Sequence, residues 1–342
     1  MQWVKKHGIF LVFISVILIG SLLPLPYYIY KPGSADPLNP VVAVEAGYDS
    51  EGDMHLVTIR GGRATPLNYI IALFSDYQDI YPLEEVFPEG YDRDNYMKNQ
   101  LMMMESAQQK SVLVAFDQAN VDYHVEYEGV YVVDVLAGMP AEAVLETGDK
   151  IIAIEGQSIV DADDLIEKVE SYQVHDELKF TVIRDEESFE TIIELVPFET
   201  DADDFGIGIQ LVTNREVELS RDVVFDSGDI GGPSAGLALA LEVYDQLTSE
   251  DITHGLNIAA TGEIDYDGSV HRIGGVDKKV VAADKQACDI FFVPNEEGRE
   301  HSNYLVAKQT AEAIGSDMAI VPVDTIDDAL NYLTDLQIAH GK

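Results

Sequence analysis

The chain has 342 residues, 46% of them hydrophobic and 24% charged, and its 21 basic against 62 acidic side chains leave a formal charge of −41. That length holds about two domains with cores of their own, and the apolar content is too high for a disordered acidic tail. A pI of about 4.2 offers no basic face for phosphates, which excludes nucleic-acid binding and flat attachment to an anionic leaflet. The single cysteine, Cys288, has no second cysteine for a disulfide or metal site and reads as core filler.

Residues 1–34 carry Lys5, Lys6 and Lys31 and no acid, so the remaining 308 residues hold −44. Between His7 and Lys31 lie 23 uncharged residues, dense in apolar side chains from Ile9 to Leu23 and followed by Tyr27, Tyr28 and Tyr30. This predicts one membrane-spanning helix with an interfacial tyrosine belt, a cytoplasmic N-terminus, and a body held outside the cell membrane. A cleaved signal peptide is the rival; no small-x-small site follows the run, and Pro24 and Pro26 stand where cleavage would fall. Residues 35–120 then read as a strand pair (Val41 to Glu45, His55 to Arg60), a short helix near Leu67 to Leu73, and a long helix from about Asp94 to Ala119. Met97, Leu101, Met104 and Ala107 recur along that helix at helical spacing, which reads as core, with a pliable binding groove as the alternative.

Residues 121–199 form a compact pattern of strands, a turn at Gly148-Asp149 and an amphipathic helix from Asp161 to Ser171. Gly138-x-Pro140-Ala141 followed by Gly148-Asp149-x-Ile151-x-x-x-x-Gly156 resembles a bacterial PDZ domain. PDZ modules bind an extended peptide along a strand beside a helix. The resemblance implies a groove formed by Glu128, Gly129, Val130, Tyr131 and Val132 together with Leu165 of the helix; the bland alternative is a PDZ fold that packs only against its neighbour.

Residues 200–342 return to alternating strands and helices. In Gly231-Gly232-Pro233-Ser234-Ala235-Gly236, glycines permit a sharp turn and a serine opens an apolar helix. Free N–H groups there could hold an oxyanion, though serine is also a common helix cap. Two more motifs follow, Thr261-Gly262-Glu263 and Ile273-Gly274-Gly275-Val276-Asp277-Lys278-Lys279. Together the three resemble the proteolytic domain of the Lon family. The resemblance implies Ser234 as nucleophile, Lys279 as general base, Thr261 as the hydroxyl that steers the amine, and main-chain N–H groups of Ser234, Gly231 and Gly232 as oxyanion donors. Lys278 would be a solvated neighbour.

Lysine normally titrates near 10.4, so a lysine base requires an apolar pocket from which carboxylates, Asp229 and Asp277 first, are held away. No His-Glu-x-x-His pair and no phosphate-binding Gly-x-x-x-x-Gly-Lys-[Ser/Thr] loop occurs, so neither a zinc-protease helix nor an ATPase motor is encoded. No metal, nucleotide or other cofactor is expected. The order of segments resembles the membrane-anchored PDZ-Lon proteases of Gram-positive bacteria. The implied fold class is α/β (α+β), a Lon-type proteolytic domain with an inserted mainly-β PDZ domain and one N-terminal transmembrane helix. The implied partners are the membrane and peptide or small single-pass protein substrates, and the family's ring assembly leaves a homo-oligomer open. A tail-specific PDZ protease would lack the second and third motifs, and a PDZ scaffold would have no physical reason to keep a buried lysine.

Overall fold

A computed structural model describes residues 23–87, 93–198 and 201–340. Of the expected membrane segment, the dense apolar run up to residue 22 lies outside the described residues, and no described helix is long and apolar enough to cross a membrane. Two units emerge, a larger one from the residues up to Asp122 and from Arg221 onward, and a smaller one from Tyr123 to Ser220.

In chain order the larger unit begins with β1 (Tyr27–Pro37), β2 (Val42–Val44), β3 (Asp53–Arg63), α1 (Pro66–Ala72), β4 (Asp79–Pro82) and α2 (Arg93–Gln118). The smaller unit holds β5 (Tyr123–Val135), β6 (Lys150–Ile154), α3 (Ala162–Glu170), β7 (Glu177–Arg184), β8 (Glu187–Glu194) and β9 (Ile209–Leu219). The larger unit resumes with β10 (Val223–Phe225), α4 (Gly236–Leu247), β11 (Asn257–Ala260), α5 (Val276–Lys285), β12 (Ile290–Pro294), α6 (Asn303–Ile314), β13 (Ala319–Val323) and α7 (Ile326–His340).

The larger unit's sheet has the order β13-β12-β11-β3-β1-β4, with β11, β12, β13 and β3 parallel and β1 antiparallel to its neighbours. Strand residues alternate between faces. Ala259 and Phe291 point into a core with Val276, Val280 and Ala283 of α5 and Ala307 and Ala311 of α6. Phe292 turns the other way, its ring 5.7 Å from that of Tyr332 on α7. Near-continuous apolar strands such as Ile290–Pro294 are what a sheet buried on both faces requires.

Two expected boundaries move. Tyr27, Tyr28 and Tyr30, expected in a membrane belt, lie in β1, where Tyr28 and Ile29 are buried and the Tyr28 and Tyr30 rings meet edge to face at 5.1 Å. The folded body thus starts before residue 34, because alternating aromatic and aliphatic residues suit a strand as well as an interface. Residues 201–220, which follow the expected boundary at residue 200, pack within the smaller unit. There β9 pairs with β5 from Ile209↔Val135 to Leu219↔Tyr123, which sets the unit's two ends side by side as an insertion requires. Its sheet has the order β9-β5-β6-β7-β8, and α3, capped by Asp161 accepting from Asp164 N–H at 2.8 Å, contributes Leu165 and Val169 to its core.

Candidate active site

The loop before α4 is shaped by its glycines. Gly232 has φ of 97°, the left-handed region that other residues enter at a cost, and a Cβ at Gly231 would lie 2.7 Å from Gln100 Cβ on α2. Pro233 then presets φ for a single 3₁₀ turn, Pro233–Ala235, which runs into α4 and leaves the Ser234 side chain half-buried. Hydrogen bonds tie this turn to the end of β11. The Ser234 carbonyl accepts from Gly262 N–H and from the Thr261 hydroxyl, both at 3.0 Å, and Leu237 N–H donates to the Gly262 carbonyl at 3.1 Å.

From the other side of the sheet α5 brings Lys279. It is 2% exposed, with Nζ 2.7 Å from Ser234 Oγ and 2.8 Å from Thr261 Oγ1. Because the Thr261 hydroxyl proton goes to the Ser234 carbonyl, its oxygen is left to accept an amine N–H, and that contact aims Nζ at Ser234. Loss of hydration, with no carboxylate to offset it, lowers the Lys279 pKa to about 7. At neutral pH a large share of the amine is therefore unprotonated and able to take the Ser234 proton.

Lys278 corrects the expectation of a solvated neighbour. It is 3% exposed, with Nζ 2.5 Å from Asp79 Oδ2 on β4 and 3.0 Å from Asp277 Oδ2. Gly232 differs as well. Its N–H donates to the Gln100 carbonyl at 2.7 Å, so this donor holds the loop on α2 instead of facing an oxyanion, while Gly231 is exposed at the cleft.

Ser234 and Lys279 line a cleft of about 670 Å³ in the larger unit. Tyr30 of β1, Val57 to Gly61 of β3, and Tyr96, Met97, Gln100 and Met104 of α2 form its walls. Strand β11 pairs with β3 only from Asp53 to Leu56, so beyond Leu56 that flank of β3 opens on the cleft. The methionine spacing on α2 was the sequence signal for this wall, although Leu101 itself is exposed. Among the described residues no cluster of three or more His, Cys, Asp or Glu side chains is arranged to hold a metal ion.

The groove expected from Glu128 to Val132 requires correction. Those residues lie in β5, an interior strand flanked by β9 and β6, with Val130 and Val132 fully buried beside Leu165. The outer strand next to α3 is β9, where Thr213 Oγ1 accepts from Ala162 N–H at 3.0 Å and Val212 is half-exposed. Local periodicity cannot reveal that a strand from residue 209 pairs over one from residue 123.

Residues 202–335 match the Lon protease (S16) C-terminal proteolytic domain, and residues 108–195 match the PDZ domain. The chain carries both domains. The Lon match begins inside β9's unit and the PDZ match inside α2, so each crosses the boundary between units. A Lon protease from Campylobacter concisus (strain 13826) is 38% identical over 99 residues, 29% of this chain and 11% of that protein. One from Malacoplasma penetrans (strain HF-2) is 36% identical over 136 residues, 39% of this chain and 16% of that protein. The chain thus spans less than a fifth of the length of these relatives. The crystal structure of the PDZ domain of an SdrC-like protein from Listeria monocytogenes is 32% identical, covering 26% of this chain and 93% of that one, with a TM-score of 0.24.

Proposed function

We propose that the protein is an ATP-independent, membrane-anchored serine endopeptidase that cleaves extracytoplasmic peptides or small membrane proteins. The 2.7 Å contact between Ser234 Oγ and a buried Lys279 amine, free of any carboxylate, carries this reading. Lys279 takes the hydroxyl proton as Ser234 Oγ attacks the peptide carbonyl carbon. The tetrahedral oxyanion is held by N–H groups at the start of the α4 turn, that of Ser234 foremost. Collapse expels the amine, to which Lys279 returns the proton. Water then enters and attacks the acyl carbon as Lys279 takes one of its protons, and Lys279 passes that proton to Ser234 Oγ as the acyl–Oγ bond breaks and the acid leaves. Substrate lies extended along the open flank of β3 from Val57 to Gly61, where main-chain pairing holds it without demanding one sequence.

The PDZ domain recruits a second segment of substrate at the outer edge of β9, which adjoins α3 through Thr213 and Ala162. The uncharged apolar run ahead of β1, dense from Ile9 to Leu23, anchors the chain in the cell membrane with the body outside. The full chain, in detergent and in liposomes without nucleotide, is assayed on casein and on extracytoplasmic peptides beside Ser234→Ala and Lys279→Ala. Each substitution is expected to remove cleavage while circular dichroism stays unchanged. Cleavage that survives either substitution, or wild-type protein that cuts nothing in both settings, would overturn the dyad.

A further inference from the structure

Between β3 and β4 the chain runs from Ala64 to Ser75 without a charged residue. Thr65 caps α1 by accepting from Asn68 N–H, and Pro66 opens its first turn. The helix is inverted relative to ordinary surface helices, which turn their apolar stripe to the core. Its inward side uses small residues: Ala64 and Ala72 are buried with Ile29, and the Tyr69 ring lies 5.0 Å from that of Tyr27. Outward, Leu67, Ile70, Ile71 and Phe74 follow one another at helical spacing and are 41%, 55%, 49% and 87% exposed, with Leu73 beside them at 59%. Scattered exposed apolar residues need no explanation, but a contiguous stripe of five does.

A second observation says what covers it. The chain enters the body at the base of α1. Leu25 N–H donates to the Ala64 carbonyl and Ala64 N–H to the Tyr27 carbonyl, both at 2.8 Å, and Arg63 Nε holds the Leu25 carbonyl at 3.1 Å. Leu23, the last residue of the dense apolar run, precedes Leu25 by two positions, a reach of roughly 7 Å, and is itself 53% exposed. A span ending at Leu23 delivers α1 to the membrane–water boundary, which is about 5 to 10 Å deep for a helix lying in it. The nearest charges to the stripe on the N-terminal side are Arg60 and Arg63, and the first acid after it is Asp76.

We infer that α1, with Leu73 and Phe74, is a second membrane contact whose Leu67/Ile70/Ile71/Phe74 stripe lies in the boundary of the leaflet from which the N-terminal segment emerges. This rests on the reading of the apolar run ending at Leu23 as a membrane anchor. The bilayer then takes up the stripe that water would otherwise face, and the body is held at two points, which limits its rotation about a single tether.

The test uses the full chain in phosphatidylcholine liposomes. Trp3, the only tryptophan, is replaced (Trp3→Phe) and an indole is introduced by Phe74→Trp. Lipids brominated at shallow or deep acyl positions then report its depth. The expected result is a blue-shifted emission quenched at least twofold, most by the shallow bromines, and unquenched once Ile70→Glu and Ile71→Glu are added while the protein still floats with the vesicles. A protein that floats yet shows no quenching at any depth overturns the contact and leaves the anchor standing. Blue-shifted but unquenched emission, together with Phe74→Cys copies that cross-link to one another, overturns it in favour of a second copy on the stripe. A protein that does not float at all removes the anchor reading and the contact with it.

Discussion

Adjacent lysines at the start of α5 enter two regions of the same unit with opposite electrostatics. Lys278 and Lys279 are equally buried, at 3% and 2% exposure. Burial pulls both amines down, but around Lys278 the carboxylates of Asp79 and Asp277 more than reverse it and hold the pKa above the usual value. Lys279 meets only the hydroxyls of Ser234 and Thr261, and its pKa falls to about 7. Desolvation is therefore common to both sites, and the partner decides the protonation state. Lys278 also answers how a base survives in so acidic a chain: it engages Asp277, the carboxylate nearest Lys279 in sequence.

The comparison breaks most sharply when each lysine is replaced by methionine. Lys279→Met is expected to cost at least about 10³-fold in kcat/KM, yet to raise stability at neutral pH by about 1–2 kcal/mol, because an amine buried without a counter-ion disfavours folding. The sign follows from linkage. A pKa lowered from 10.5 to about 7 means the unfolded chain binds more protons between those values, so stability falls as pH drops through that window. Wild-type kcat/KM should rise with pH through an inflection near 7; an inflection above about 10 would remove the dry pocket from the argument. Lys278→Met is expected to keep activity within a few-fold and to lose about 1 kcal/mol, since Asp79 and Asp277 are partly exposed and can hydrate. It should also move the inflection upward, as two carboxylates lose their counter-ion. Denaturant unfolding and pH–rate profiles of both variants check this, and equal effects of the two substitutions would end the contrast.

A smaller effect sharpens the Lys279 side. Thr261 is fully buried and both donates to the Ser234 carbonyl and accepts from the amine. Thr261→Val removes both bonds and should lower kcat by about 10- to 100-fold with little change in KM, as expected when one oriented contact is lost. Thr261→Ser restores the hydroxyl and should recover most of it. A loss equal for both variants would mean that the methyl group's packing, not the hydroxyl, matters.

Residues close in sequence were the most legible part of the molecule. The glycines before Ser234, the Thr261-Gly262 strand end and the Gly275 entry to α5 (φ 65°) are local backbone demands, and each is visible in residue type. What stayed hidden depends on long-range pairing. Lys278 is 199 positions from Asp79, so nothing on its own helix marked it as buried. The β5 strand read as a groove edge because β9, which covers it, begins 74 residues after β5 ends. Tyr27, Tyr28 and Tyr30 fit a membrane belt and a strand equally well, and only pairing with β3 and β4 separates the two. Gly232 signalled a turn without revealing that its N–H is used by Gln100.

The smallest expected effect carries the same rule to an acid. Glu242 on α4 is 1% exposed; burial pushes its pKa up to about 7, with Asp245 and Asp53 adding to the rise and a 2.6 Å hydrogen bond from Gln246 Nε2 opposing it. Gln246 in turn accepts from Val44 N–H and donates to the Val42 carbonyl, which pins β2. Because the folded pKa lies above the unfolded value of about 4.5, the chain gives up stability as pH rises from 4.5 to 7 and loses no more from this group beyond. Glu242→Gln keeps an acceptor for Gln246 and cannot ionise. It should leave cleavage unchanged, match wild type in denaturant unfolding near pH 4.5, and exceed it by about 1 kcal/mol at pH 8. A gain of the same size at both pH values would mean that volume or polarity, not the charge, is what the site resists.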